Sequence, residues 1–284
     1  MNTFPPSPSP TAVRVLSRRE HVRVPLFAAP GPEVDAITEA ADDLRRATAG
    51  DTVAYVVNRN INFTNVCIKN CKFCAFARTV RSEQGYFLPH EEVARRVQQA
   101  WEMGATEVCL QGGIHPQYTG LTYLKLCEAI RRQLPGLHIH AFSPLEIWQG
   151  AATLGLELET YLGQLQASGL ASLPGTAAEI LDDEVRAVLC PDKINTGQWL
   201  EVMETAHGLG IATTATMMFG HVDTYRHWAR HLLRLRDLQA VSGGFTEFVP
   251  LPFVAMEAPI YLKGKARIGP TYREALLMHS VARL

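Results

Sequence analysis

Two hydrophobic rhythms alternate along this chain, one recurring every three or four residues and the other in short β-branched runs, and their succession predicts helices and strands in turn. Residues 33–49, EVDAITEAADDLRRATA, set Val34, Ile37, Ala41 and Leu44 at helical spacing, with Gly50 as the stop. TVAYVVNRNINFTN, 52–65, reads as extended chain. PHEEVARRVQQAWEMG, 89–104, puts Val93, Val97, Ala100 and Trp101 on one helical face that opens at Pro89 and closes at Gly104. A buried strand at TEVCLQGG, 106–113, leads to a helix at YLKLCEAIRRQLPG, 123–136, and a strand at LHIHAFS, 137–143. The alternation continues through helix 157–169, a brief strand LASLPG, helices at 182–189 and 196–210, strand IATTATMMFG, helix 224–239, strand GFTEFVPLP and a closing helix from Tyr272.

Some six βα units in series predict an α/β fold with a parallel sheet, because parallel neighbours need crossover connections. Strand spacing leaves a barrel and a doubly wound sheet both open. In either, a site forms in the loops that follow strand C-termini. The segments NVCIKNCKFCAF, QGG, SPLE and MMFGH all fall there. Residues 1–20, with PPSPSP, are expected to form a disordered tail, 21–50 a helical extension, and 51–284 the core.

Composition narrows the chemistry. With 27 basic and 28 acidic residues the formal net charge is -1, so no field favours nucleic acid or an anionic membrane. No apolar run approaches the roughly 18 residues of a span, and the N-terminus has no apolar signal core, which makes the cytoplasm the default expectation. There, clustered cysteines bind metals or react more often than they pair.

Three of the six cysteines, Cys67, Cys71 and Cys74, follow one another as C-x3-C-x2-C. A structural zinc site takes four ligands, and no second Cys/His pair has the spacing to complete one. Three thiolates on a four-iron cluster would instead leave one iron open for a small chelating ligand. Cys109, Cys127 and Cys190 stand alone in apolar surroundings and read as buried small hydrophobes.

The motif C-x3-C-x-aromatic-C, with Phe73 before its last cysteine, resembles the signature of the radical S-adenosylmethionine (SAM) superfamily. The resemblance implies a partial (β/α)6 TIM-type barrel with an N-terminal helical extension, a 4Fe-4S cluster on Cys67, Cys71 and Cys74, and SAM on the open iron. One electron from the cluster would cleave SAM to methionine and a 5'-deoxyadenosyl radical. Gly112 and Gly113 align with the glycine-rich motif that contacts the SAM amino group; Ile114 stands where many relatives carry Glu, which leaves that contact to backbone carbonyls. Phe73, Ser143, Glu146 and Glu179 are the further cofactor-side candidates. Capping competes for several of them: Ser143 with Glu146, and Thr176 with Glu179, each form an S/T-x-x-E box. His221 and Glu179 are the candidate proton acceptors, with a structural histidine the competing reading of His221. LKGKARIG, 262–269, reads as a solvated loop, with a phosphate or ribityl contact as the minority reading.

Longer stretches, NRNINFTNVCIKNCKFCAF, GTAAEILDDEVRAVLCPDKI, WLEVMETAHGLGIATTATMMFGHVD and GGFTEFVPLPFV, resemble the tyrosine-using transferases of FO (deazaflavin) synthesis over about residues 50–284. What this implies is abstraction of hydrogen from the amine of L-tyrosine, Cα–Cβ cleavage releasing 2-iminoacetate, and transfer of the 4-hydroxybenzyl group to 5-amino-6-(D-ribitylamino)uracil. An electron donor would serve it, and a second radical SAM enzyme would close the ring. The menaquinone-branch enzymes, such as aminofutalosine synthase, share similar cysteine loops and an AEI…DEVR stretch and form the competing family reading; a cluster-carrying fragment without activity is the other. Members of the family usually run on beyond the point matching Leu284, so the chain is expected to lack a C-terminal segment.

Overall fold

Six of the strand-like runs pair side by side in chain order, β1 to β6, and every pairing is parallel. This computed structural model describes residues 24–284; the tail expected at 1–20 lies outside them. The elements are helix α1 (Pro32–Ala49), strand β1 (Asn58–Asn62), α2 (His90–Glu102), β2 (Glu107–Gln111), α3 (Gly120–Gln133), β3 (His138–Ala141), α4 (Pro144–Leu154), α5 (Leu158–Ala167), β4 (Ser172–Leu173), α6 (Asp183–Leu189), α7 (Thr196–Gly208), β5 (Ala212–Phe219), α8 (Tyr225–Ser242), β6 (Phe245–Pro252), α9 (Pro259–Leu262) and α10 (Tyr272–Arg283). The sheet stays open between β1 and β6, so the fold is a six-stranded partial barrel with its helices outside.

Strand side chains alternate between two faces, and here the faces differ in chemistry. Ile61, Val108, Leu110, Ile139, Ala141 and Leu173 turn outward and are buried with helix residues such as Val93, Val97, Cys127, Ile130 and Leu165. Asn60, Asn62, Cys109, Gln111, His140 and Ser172 occupy the alternate positions and face the concavity. A strand buried on both faces reads as a continuous apolar run; these do not, which is why their polar members point to a working interior.

Several local expectations shift. Val53, Tyr55 and Val56 are 86%, 84% and 61% exposed, so the β-branched run before the cysteines becomes strand only from Asn58. Trp101 is 44% exposed, off the buried face it was expected to share with Val93 and Val97. Cys109 is half-buried and faces the concavity, where Gln111 Nε2 approaches its sulfur at 3.2 Å, unlike the fully buried Cys127 and Cys190. Helices α4 and α9 were not separate features of the alternation, because apolar α4 has little polar face to mark its period.

Helix α4 matters because it starts at the rim. Ser143 caps it in a full capping box with Glu146, and Gly155, in the left-handed region at φ 63°, ends it. Mid-helix Gly150 leaves room for the Tyr161 ring, whose hydroxyl donates to Gly120 O at 3.1 Å. A Cβ at Gly150 would land on that hydroxyl and ring. In an open helix Gly→Ala gains up to about 1 kcal/mol, whereas overpacking costs about 1–3 kcal/mol. Gly150→Ala is therefore expected to lower the thermal midpoint, and Gly150→Ala with Tyr161→Phe to recover part of the loss, as read by a calorimetric melt.

Candidate active site

The cysteine loop runs between β1 and α2 and owes its shape to groups far along the chain. Cys67 N donates to Arg78 O at 3.0 Å, Ile68 N to Ile114 O at 2.9 Å, Lys72 N to Leu189 O at 2.8 Å, and Asn70 N to an Asp192 carboxylate oxygen at 2.7 Å. Cys67, Cys71 and Cys74 are all half-buried free thiols. Backbone amides of Lys69 and Ile114 approach Cys67 Sγ at 3.4 and 3.3 Å, a contact that stabilises thiolate charge. Burial pushes the Cys71 thiol up to about 12, with Lys193 pulling the other way.

Strand β2 runs out into Gly112 and Gly113 beside this loop. A Cβ on Gly113 would strike Val66 O and Cys67 Cβ, and one on Gly112 the Phe63 ring, so side chains are excluded where backbone meets the cysteines. Glu146, 1% exposed, ties that strand end to α4. One carboxylate oxygen accepts from Gly112 N at 3.0 Å; the other accepts from Ser143 N at 2.8 Å and Ser143 Oγ at 2.6 Å. Burial nonetheless raises its carboxyl to about 7, against those hydrogen bonds.

The loop after β4 takes a course that its sequence conceals. Ala177 and Glu179 have φ of 63° and 43°, left-handed values that cost a non-glycine residue energy. Their neighbours hold them there. Arg186, 3% exposed, donates to Ala177 O, Ala178 O and Ile194 O; Trp199 Nε1 donates to Thr176 O at 3.2 Å; Met218 N donates to Glu179 O at 2.8 Å. The box expected from Thr176 and Glu179 does not form, since no helix starts there, and α6 is capped instead by Asp182. Glu179 pairs with Lys193, Nζ to Oε1 2.5 Å, and the ammonium also stands 5.2 Å from the Phe73 ring centroid. Burial alone would raise the Glu179 carboxyl, but Lys193 outweighs it and holds it below its usual value. The same pairing raises Lys193 although burial opposes it.

These pieces share one cavity of about 240 Å³ at the C-terminal rim. Its wall contains Cys67, Cys71, Phe73, Cys74, Gly112, Gly113, Ser143, Glu146 and Glu179, the candidates singled out from sequence apart from His221. His221 is enclosed elsewhere: Val222 N donates to its Nδ1 at 2.7 Å, and its Nε2 faces Met218 O at 2.9 Å. Burial lowers its pKa, with Asp223 opposing, which suits a neutral ring using both nitrogens structurally. Sequence reasoning missed Lys193, Thr176, Asn62, Asn65 and Gln111, all on the wall. Only the NRNINFTN run, with asparagines at every second position from 58 to 62, carried a local signal for part of this set.

The wall fits a cluster and a polar cofactor. Among the described residues, the groups of three Cys, His, Asp or Glu side chains tight enough for a single ion, within 4.8 Å, are Glu107–His138–His140 and Asp182–Glu184–His227; the loop thiols are not such a group. Thiolates spread over three irons of a cubane do not need that tightness. Thr176 Oγ1 is a buried hydroxyl on this wall without a protein partner, a group that calls for a ligand.

Glu146 yields a prediction whose sign is fixed by the raised carboxyl. The folded state binds this proton more tightly than the unfolded chain, so its contribution is complete below pH 4.5 and is lost as pH rises through about 7, on the order of 3 kcal/mol in all. Glu146→Gln keeps the shape but turns an amide N–H₂ toward an N–H donor, and should cost about 1–3 kcal/mol. The stability gap between the parent and Glu146→Gln, from urea unfolding of cofactor-free protein, is expected to be largest near pH 5 and to shrink toward pH 8.

Residues 61–235 match the radical SAM superfamily. The chain is 52% identical over 91% of its length to FO synthase of Streptomyces avermitilis, of which it spans 30%. It is 50% identical over 86% of its length to the 5-amino-6-(D-ribitylamino)uracil--L-tyrosine 4-hydroxyphenyl transferase of Methanocaldococcus jannaschii, of which it spans 69%. In fold it is similar to the FeFe-hydrogenase maturase HydG from Carboxydothermus hydrogenoformans, with a TM-score of 0.70 at 18% identity over 96% of this chain and 62% of that one. Methylornithine synthase (PylB) gives 0.65 at 17% identity, covering 85% of this chain and 66% of that one. The chain belongs to the radical SAM superfamily.

Proposed function

We propose that this protein is a radical SAM transferase that cleaves L-tyrosine between Cα and Cβ and moves the 4-hydroxybenzyl group to 5-amino-6-(D-ribitylamino)uracil in FO synthesis. The observation that carries this reading is the 50% identity, over 86% of the chain, to the relative named for that transfer. Cys67, Cys71 and Cys74 would hold three irons of a 4Fe-4S cluster and leave the fourth for SAM. When bound, that pair supplies a reductively generated 5'-deoxyadenosyl radical.

The chain's own residues would bind and position. Gly112 and Gly113 let the end of β2 pack directly against Phe63, Val66 and Cys67, and their backbone on the cavity wall would face the cofactor. Ser143 and Glu146 fix the β2 end against α4, and the Thr176 hydroxyl offers an unused donor and acceptor. Phe73, 5.2 Å from the Lys193 ammonium, would link the cysteine loop to the Glu179–Lys193 pair. Of the two candidate proton acceptors, Glu179 lies on the cavity wall and His221 does not. The reading also includes an electron donor, a second radical SAM enzyme acting on the product, and a cytoplasmic setting in which the thiols stay reduced. No described helix is long and apolar enough to cross a membrane.

Anaerobically reconstituted protein should carry about four irons per chain. It should release 5'-deoxyadenosine from SAM under dithionite only when L-tyrosine is present, and give the hydroxybenzylated uracil by mass spectrometry. Cys71→Ser should abolish both. Aminofutalosine as product would move the chain to the menaquinone branch; iron without SAM cleavage would leave a cluster carrier; one zinc in place of iron would sink the reading altogether.

A further inference from the structure

A second set of ligating side chains lies on the concave floor of the half-barrel. Glu107 opens β2 and His138 opens β3, and they are direct partners in the parallel register; one pleat on, Cys109 pairs with His140, and His140 with Ser172. Val108 and Ile139, between them, turn into the apolar core, so Glu107, His138 and His140 all leave the sheet on its other face. One ligating atom from each of the three falls within 4.8 Å of the other two. His138 Nε2 is 3.8 Å from Glu107 Oε2. His138 Nε2 and His140 Nδ1 each stand 2.7 Å from the Ser172 hydroxyl.

The surroundings orient these groups. Asn58 Nδ2 donates to Glu107 Oε1 at 2.9 Å, which leaves Oε2 as the oxygen facing His138. Burial lowers the pKa of His140, and neighbouring His138 adds to the effect while Glu107 opposes it, so the ring favours its neutral, ligating form. A serine hydroxyl has one proton to donate and bridges the two rings by giving it to one nitrogen and accepting from the other. A cation placed among the three side chains would replace that bridge with direct bonds.

We propose that Glu107, His138 and His140 form a binding site for a first-row divalent cation of the zinc type, with Ser172 Oγ or water completing the shell. Two imidazoles and one carboxylate suit zinc and its neighbours, while magnesium and calcium prefer all-oxygen shells. The site is separate from the cavity at the rim. Gln111, on the cavity wall, lies four residues further along β2 than Glu107, about 13 Å at the rise of a strand.

Calorimetric titration of Zn²⁺ into cluster-loaded protein tests this, since iron then occupies the thiol loop. One Zn²⁺ per chain is expected, because Arg230 and Arg234 already flank Asp182 in the other tight group, Asp182–Glu184–His227, and a zinc-edge X-ray absorption spectrum should show a nitrogen and oxygen shell with imidazole scattering. His138→Gln and Glu107→Gln should each weaken binding at least tenfold. The His138 side chain is 44% exposed, so its replacement leaves the fold intact, which a melt without metal verifies. Absence of uptake, a sulfur shell around the zinc, or affinity unmoved by both substitutions would overturn the proposal.

Discussion

The rim of the half-barrel is arranged around one buried ion pair, Glu179 with Lys193, both side chains 11% exposed. Each charge is tolerable only because the other is present; removing one partner of such a pair costs about 3–5 kcal/mol. The pair fastens the loop after β4 to the segment after α6, and Lys193 extends the connection over Phe73 to the cysteine loop. Arg186 secures the same loop from behind through carbonyls at 177, 178 and 194. The strained φ values of Ala177 and Glu179 persist because this surrounding network over-determines them.

Alternation along the strands then divides the interior by depth. At the C-terminal ends, Asn62 and Gln111 meet glycines and the thiol loop and give a cavity open to a ligand. Deeper on the same concave face, four residues earlier on β2 and on the neighbouring β3 and β4, stand Glu107, His138, His140 and Ser172, which satisfy one another. Along β1 to β4 the outward face supplies the apolar residues that pack against the helices, which leaves the concave face to the polar ones. The half-barrel therefore carries polar side chains at two depths without a polar group intruding among Val108, Leu110 and Ile139.

Periodicity, capping and cysteine spacing were legible in the sequence because they are local. The Ser143–Glu146 box forms as its spacing predicts, and C-x3-C-x2-C lies where a strand ends. The Thr176–Glu179 spacing is of the same kind and fails, since Arg186, Trp199 and Met218 hold that loop in a course no short motif encodes. Lys193 was invisible for the same reason: its partner is 14 positions away across a helix, and its aromatic neighbour is farther still. Trp101 shows the converse limit, since helical spacing places a residue near a face but the neighbouring elements decide whether anything covers it.

The two rim carboxylates make a further point about how this wall can respond to a ligand. Glu179 already has its counter-charge, and its carboxyl is held low. Glu146 has hydrogen-bond donors and only the weaker pull of Lys193 against its burial, which lifts it to about 7. A cationic ligand entering the cavity would change Glu179 little and would draw Glu146 toward ionisation, because an opposite charge favours the charged form. Proton release from Glu146 would therefore accompany cation binding near neutral pH. Two carboxylates on one rim thus sit in opposite electrostatic settings, Glu179 neutralised by Lys193 and Glu146 raised by burial against its hydrogen bonds.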